Sequence, residues 1–254
     1  MEQLFKQNSR GSLFRSTPNA RCFSRGRSLI AFTLLLSQAL TSIANAETVA
    51  ETSLKDVVSV TRAQSQKTLE KLITMAPTAK VSSREDRIGP SLLLKLNLRL
   101  EGESASEQAH YFIRQFSNLW GHLEVKVDRI EERRSRQIIH LVGSIDGVPL
   151  LNQQSKLSIV DGVAQHLSNG LGALSRLIKA KINEEEASKV ALQSAQRQGL
   201  RLISVKRFAV SYEPGIAHEV FEIHLSALSE LKTWRVLVDG QDGAIINVAA
   251  GEKR

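Results

Sequence analysis

Cysteine is nearly absent from this chain: the 254 residues hold one, Cys22. A single thiol cannot close an intrachain disulfide, so the fold must be held by its core. Aromatic residues are sparse as well, at 5% of the chain, with two tryptophans and two tyrosines. A nucleic-acid surface that interleaves cations with stacking aromatics is therefore short of one ingredient. Its other ingredient is confined to Arg133, Arg134 and Arg136 and to the pair Lys179 and Lys181. Solvated strand ends explain these equally well, and no nucleic-acid partner is expected. Long apolar runs are missing too. The best candidate, generously Leu29 to Leu40, falls well below the roughly 20 residues that span a bilayer, so no stable membrane span is expected. G-x-S-x-G, G-x-x-x-x-G-K-[ST] and C-x-x-C motifs do not occur, nor does a complete H-E-x-x-H. No nucleophile, phosphate cradle or redox pair can be assembled from motifs, so the sequence assigns no catalytic residue, metal ligand or cofactor.

The nearest approach to a catalytic signature is HEVFEIH, from His218 to His224, where the second zinc histidine of H-E-x-x-H is replaced by Glu222. The signature works because histidines four apart share a helix face. His218 and His224 are six apart, about 240° around a helix at ~100° per residue, and could not grip one ion there. As a strand the segment alternates cleanly, with Phe221, Ile223 and Leu225 on one face and His218, Glu222 and His224 on the other. That polar face could hold zinc through two imidazoles and a carboxylate, and a solvated strand face accounts for the same residues. We read His218, Glu222 and His224 as a partner-facing surface, pH-sensitive because imidazoles titrate near pH 6.5.

What the chain does have begins with its leader. Residues 1–28 carry Lys6, Arg10, Arg15, Arg21, Arg25 and Arg27 against one acid, Glu2, and precede the apolar run LIAFTLLL. Ala44 and Ala46 then frame an A-x-A site, so residues 1–46 read as a signal peptide cleaved after Ala46. An Arg- and Ser-rich, acid-poor leader also fits a mitochondrial transit peptide, although the apolar block is more pronounced than that reading needs. Removing the leader takes six of the 34 basic residues and one of the 26 acids, leaving 28 against 25, a net +3. Basicity thus belongs mostly to targeting, and a periplasmic or secreted protein acting as a monomer is expected.

Along the mature chain, Leu54, Val57, Val58, Leu69, Leu72, Ile73 and Met75 recur at mostly helical intervals, giving an amphipathic helix or arm over residues 47–75. Residues 76–90 are polar, with Pro77 and Pro90 near the ends, and read as a linker. Leu92, Leu94, Leu96, Leu98 and Leu100 then alternate as a half-buried strand. Ser104 and Glu107 form a capping box for a helix whose stripe is Ala109, Phe112, Ile113, Phe116 and Leu119. Strand candidates follow, with Asp146-Gly147 and Asp161-Gly162 as tight turns. The order then repeats. Asn183 caps a helix over residues 184–198, with Ala187, Val190, Ala191 and Ala195 as a small-residue face, and four strands close the chain. Trp120 and Trp234 read as packing residues. The class is α+β: a helix and an antiparallel meander, twice.

The leucine-alternating strand, the helix ending in FSNLWG, and DGVPLLNQQSKLSIVDGVAQHLSNGL together resemble the fungalysin/thermolysin propeptide (FTP) domain, with Gly147, Pro149 and Leu150 matching its G-x-P-[VL] step. NEEEASKVALQSA and TWRVLVDGQDGAIINV resemble the helix opening and closing hairpin of a PepSY domain. The strand before the G-x-P step departs from the family, and the sequence ends at Arg254 where a zymogen would continue into its zinc-bearing domain, so the prodomain module without the enzyme is expected. The resemblance implies two small cystatin-like lobes, an FTP-like one over residues 91–175 and a PepSY-like one over residues 176–254, each a helix packed on a curled antiparallel sheet. Both together are similar to the prodomain of secreted thermolysin-like metalloproteases. They imply a non-enzymatic folding chaperone or inhibitor of such a protease in trans, or else an envelope or cell-surface protein-binding module on the same fold.

Overall fold

The computed structural model describes residues 53–194, 199–227 and 232–252. The leader expected over residues 1–46, with Ala44 and Ala46, lies outside the described residues, as do Ala195 to Gln198 of the second expected helix. The fold is α+β, with two sheets rich in antiparallel pairs and helices packed against them.

Residues 53–75 form helix α1. Its buried line is Thr61, Ser65, Thr68, Leu69 and Leu72, more polar than the apolar positions suggest, and Met75 is exposed. The reason is close approach to backbone. A Cβ added at Gly89 would sit 2.9 Å from Ser65 Oγ, and one at Gly121 would sit 2.8 Å from Thr61 Cγ2. Only short side chains fit between a helix and glycines held that near. Leu69 and Leu72 continue the line into the main core, so α1 is an ordered part of the first lobe.

The segment expected as a linker is also structured. It contains β1 (Lys80–Ser83), which pairs antiparallel with β2 (Pro90–Arg99), while Ala76 and Ile88 are buried on either side. All four residues of β1 are exposed, so its order comes from backbone hydrogen bonds and leaves no hydrophobic pattern in the sequence. Within β2 the strict leucine alternation fails. Leu93, Leu96, Leu98 and Leu100 are buried, whereas Leu94 is exposed. Lys95 and Asn97 adopt positive φ, 55° and 46°, where the pairing with β7 shifts register. This irregularity turns the strand's phase, so the residues before it present the opposite parity to the core.

Helix α2 (Ala105–Gln115) starts at the expected box: Glu107 N donates to Ser104 Oγ at 3.2 Å and Ser104 N donates to Glu107 Oε2 at 3.1 Å. The backbone N–H groups of Ser104 and Glu103, which both donate to Glu107 Oε2, hold that carboxyl below its ordinary range. Ser104→Ala should cost about 1 kcal/mol. Urea unfolding monitored by circular dichroism checks this, and no measurable loss would show that the cap is redundant.

A 3-10 turn, Ser117–Trp120, leads to β3 (Glu124–Arg133), β4 (Arg136–Ile145), β5 (Val148–Pro149), β6 (Ser155–Val160) and β7 (Val163–Asn169). The first sheet runs β1-β2-β7-β6-β4-β3, with β5 beside β4. Both Asp-Gly pairs have positive φ at each residue, the primed-turn geometry that suits right-twisted hairpins.

The second sheet holds β8 (Arg176–Ile178), β9 (Leu200–Glu213), β10 (Ile216–Ala227), β11 (Lys232–Asp239) and β12 (Ile245–Glu252), with α3 (Glu184–Ser194) packed on it. Asn183 Oδ1 accepts from Glu186 N, and Glu186 Oε2 accepts from Asn183 N, both at 2.9 Å. Fully buried Ala187 and Ala191 let α3 lie against Phe221, Ile223, Leu225, Trp234, Val236 and Val238. The short β8 was not foreseen, and it pairs parallel with the start of β10.

The sheets are joined by more than one chain crossing. Leu151 N donates to Ala209 O and Ser175 N to Gly215 O, while Leu174, just before the crossing, is pinned to the first lobe by Leu174 N to Trp120 O and His122 N to Leu174 O. Leu177, Ala209 and Ala217 from the second sheet belong to the same apolar cluster as Phe112, Trp120 and Leu141. Residues 51–254 accordingly make one compact unit.

Candidate functional site

Strand β10 places the three residues singled out in HEVFEIH, but not as one group. Glu222 lies between Lys206 of β9 and Leu237 of β11, and His224 lies between Ser204 and Arg235. Residues two apart on a strand share a face, and the side chains meet: His224 Nε2 is 2.8 Å from Glu222 Oε1. Arg235 Nη1 approaches the other carboxylate oxygen at 3.6 Å. Glu222 is only 7% exposed, so it is a buried acceptor shared by half-exposed His224 and Arg235, not the open surface carboxylate that alternation suggests.

His218 stands apart. Six residues along a strand amount to ~20 Å, which rules out a joint grip on one ion with His224. Its ring lies 5.4 Å from that of Tyr212, whose hydroxyl burial raises above its ordinary value. Among the described residues no group of three or more His, Cys, Asp or Glu is arranged to hold a metal ion. No helix among them is long and apolar enough to cross a membrane.

A second feature escaped the sequence. A groove of about 890 Å³ opens at one end of the first lobe, where the start of α2, the β3–β4 turn and the β6–β7 turn meet. Arg99 from β2 crosses its floor and donates to Asp161 O at 2.8 Å. Glu103, Glu132, Arg134 and Gln108 complete a wall of mixed charge. Each contributor looks like an ordinary cap or turn residue in sequence. Only the sheet order β2-β7-β6-β4-β3 brings them together.

Chemically, both places offer hydrogen bonds and charges of both signs to a polar surface. In the groove Ser106 Oγ lies 3.5 Å from His110 Nδ1, but that nitrogen donates to Ser106 O at 2.7 Å and so is not a base for the hydroxyl. The tryptophans are packing groups: Trp120 is fully buried and Trp234 is 8% exposed within the second core.

No family model matches the chain. No curated protein matches it either. Among solved structures, it is similar to the C-terminal domain of YpeB from Bacillus megaterium over 73% of this chain and 95% of that one, at 11% identity and a TM-score of 0.33. It is also similar to a lipoprotein from Clostridium difficile 630, over 57% of this chain and 91% of that one, at 12% identity and a TM-score of 0.24.

Proposed function

We propose that this is an exported, non-enzymatic protein of the FTP and PepSY prodomain type that binds a secreted thermolysin-like zinc metalloprotease in trans, as folding chaperone, inhibitor or both. The observation that carries the reading is the pair of helix-on-sheet lobes, locked together by backbone hydrogen bonds and a shared core, on which the prodomain-like motifs fall. FSNLWG closes α2 and its following turn, and DGVPLL forms the β4–β5 hairpin. NEEEASKV opens α3, and TWRVLVDGQDGAIINV makes β11 and β12. The Ala44-x-Ala46 leader supports export.

Folding assistance is a linkage effect. A partner that binds only the native protease at 100 times its Kd stabilises that state by about 2.7 kcal/mol. If it also binds the folding transition state, it accelerates folding. Inhibition needs only that the bound frame occupy the cleft edge, where main-chain hydrogen bonds supply affinity and side chains supply selectivity.

The purified protein should slow peptide hydrolysis by a thermolysin-like protease secreted by the same organism, or raise its refolding yield from denaturant. Failure on both counts with every such enzyme would overturn the proposal in favour of an envelope or cell-surface binding module.

A further inference from the structure

Among the described residues six strands have a single strand partner, β1, β3 and β5 in the first sheet and β8, β9 and β12 in the second, and β5 and β8 are only two and three residues long. In the first sheet β1 is only four residues long, and β3 carries seven charged residues in ten. In the second, β9 carries Arg201, Lys206 and Arg207. Its edge is also held by the first lobe, through a parallel bridge from Ala209 to Leu150 and the hydrogen bond from Leu151 N to Ala209 O at 3.0 Å. Short length, charge and cover are the usual devices that stop a sheet edge from recruiting another strand.

Strand β12 has almost none of this, its one charge being Glu252 at its last position. It is eight residues long, and from Gly243 to Gly251 the chain holds no charged residue and no proline. Among the described residues its strand partner is β11 alone. Its one register shift lies near its start, opposite Leu237 and Val238, which leaves residues 247–252 in regular pairing. Ile245, Ile246 and Val248 are each about 40–50% exposed. Val248 lies across from Val236, a residue buried beneath α3, so the apolar face of the second core runs out to this edge with no cover among the described residues.

We infer that β12 is a self-association edge, pairing antiparallel with β12 of a second copy about a two-fold axis at Val248. Three observations favour a second copy as the occupant. The strand is self-complementary in size: a two-fold at Val248 sets Ile246 against Ala250, Ile245 against Gly251 and Asn247 against Ala249. Its one charge, Glu252, falls opposite Ala244 of the second copy, so the axis brings no like charges together. And because β9 is interrupted by the first lobe at Ala209 and carries Arg201, Lys206 and Arg207 along the rest of its edge, pairing at β12 ends with two copies instead of running on into a filament. The resulting sheet continues from one copy into the other, with Val248 covered by its own counterpart. This departs from the monomer that the sequence suggests, and it does not depend on the protease reading.

The test uses the full chain expressed with its own leader. Light scattering on the purified protein should give twice the chain mass at micromolar concentration, and Val248→Lys, which places two ammonium groups at the axis, should reduce it to one chain mass with an unchanged circular dichroism spectrum. In a Cys22→Ser background, Val248→Cys should form a disulfide-linked dimer on mild oxidation, because directly opposed strand residues lie within disulfide reach. Arg201→Cys, on β9, should not. A wild-type protein of single-chain mass with no crosslink at Val248 would overturn the inference. So would a dimer that Val248→Lys leaves intact, or an assembly in which both cysteine variants crosslink equally.

Discussion

Asn169→Ala should destabilise the protein by about 3–5 kcal/mol, because it strips partners from three buried groups at once. Asn169 closes β7 and is 2% exposed. Its Oδ1 accepts from Trp120 Nε1 at 2.9 Å and from Ser155 Oγ at 2.8 Å, while its Nδ2 donates to Pro90 O at 3.0 Å. The amide orientation is set by chemistry, since an indole N–H can only donate and a carbonyl oxygen can only accept. Alanine leaves all three groups without their partner in a dry core. Each orphan costs about 1–3 kcal/mol, and partial relaxation keeps the total below the full sum. The melting temperature should fall by roughly 10 °C or more in a chain of this size.

Asn169→Asp sharpens the test. A neutral carboxylic acid can accept from Trp120 and Ser155 and still donate its proton to Pro90 O, whereas the ionised form turns an oxygen lone pair towards that carbonyl. Burial without a cation raises the folded-state pKa above the unfolded value of about 3.9. The unfolded state then loses its proton first as pH rises, so the variant's deficit relative to wild type should open above about pH 4 and grow up to the raised folded value. Urea midpoints at pH 3.5 and pH 7 read this directly. A deficit that is the same at both, or an alanine variant within 1 kcal/mol of wild type, would mean that water takes the place of the side chain.

That network marks the limit of what the sequence discloses. Features whose cause is local were legible: the Ser104–Glu107 capping box, the Asn183 cap, both Asp-Gly turns, the α3 face of Ala187 and Ala191, and the alternation of Phe221, Ile223 and Leu225. Each rests on residues within a few positions of one another. Asn169, by contrast, gathers Pro90, Trp120 and Ser155, which lie 79, 49 and 14 residues away. Nothing near it in the chain announces that role.

The misreadings have the same origin. The Thr61 and Ser65 face of α1 looks like a solvent face until Gly89 and Gly121 are brought against it. The polar residues of β1 look like a linker until β2 pairs with them. The leucines of β2 look strictly alternating until left-handed Lys95 and Asn97 interrupt the strand. In the candidate site the closeness of Glu222 and His224 follows from their spacing, but the burial of Glu222 and the arrival of Arg235 require the β10–β11 register. The groove beside Arg99 requires the order of the whole first sheet.

Gly121→Ala should be at least as damaging as Asn169→Ala, on the order of 4 kcal/mol or more, although it adds a single methyl group. Gly121 follows the 3-10 turn with φ 63° and ψ −121°, a region outside the left-handed helical well that residues with a Cβ scarcely enter. The added carbon would also land on Leu174 O, far inside van der Waals contact, and 2.8 Å from Thr61 Cγ2. Leu174 O cannot withdraw freely, because it accepts from His122 N at 2.7 Å while Leu174 N donates to Trp120 O at 3.2 Å. Either those bonds, which pin the strand-to-strand connection at Leu174 to the 3-10 turn, break or α1 lifts from the core, and both routes sacrifice buried contacts. Gly147→Ala is the matched control: its φ of 77° is also positive, but nothing lies within 4 Å of the new carbon, so the cost should be conformational strain alone, about 1–2 kcal/mol. Chemical denaturation of the two variants separates strain from collision. Equal losses would show that the junction of α1, the 3-10 turn and Leu174 yields easily, and the rigid two-lobe frame on which partner binding is proposed would lose its physical basis.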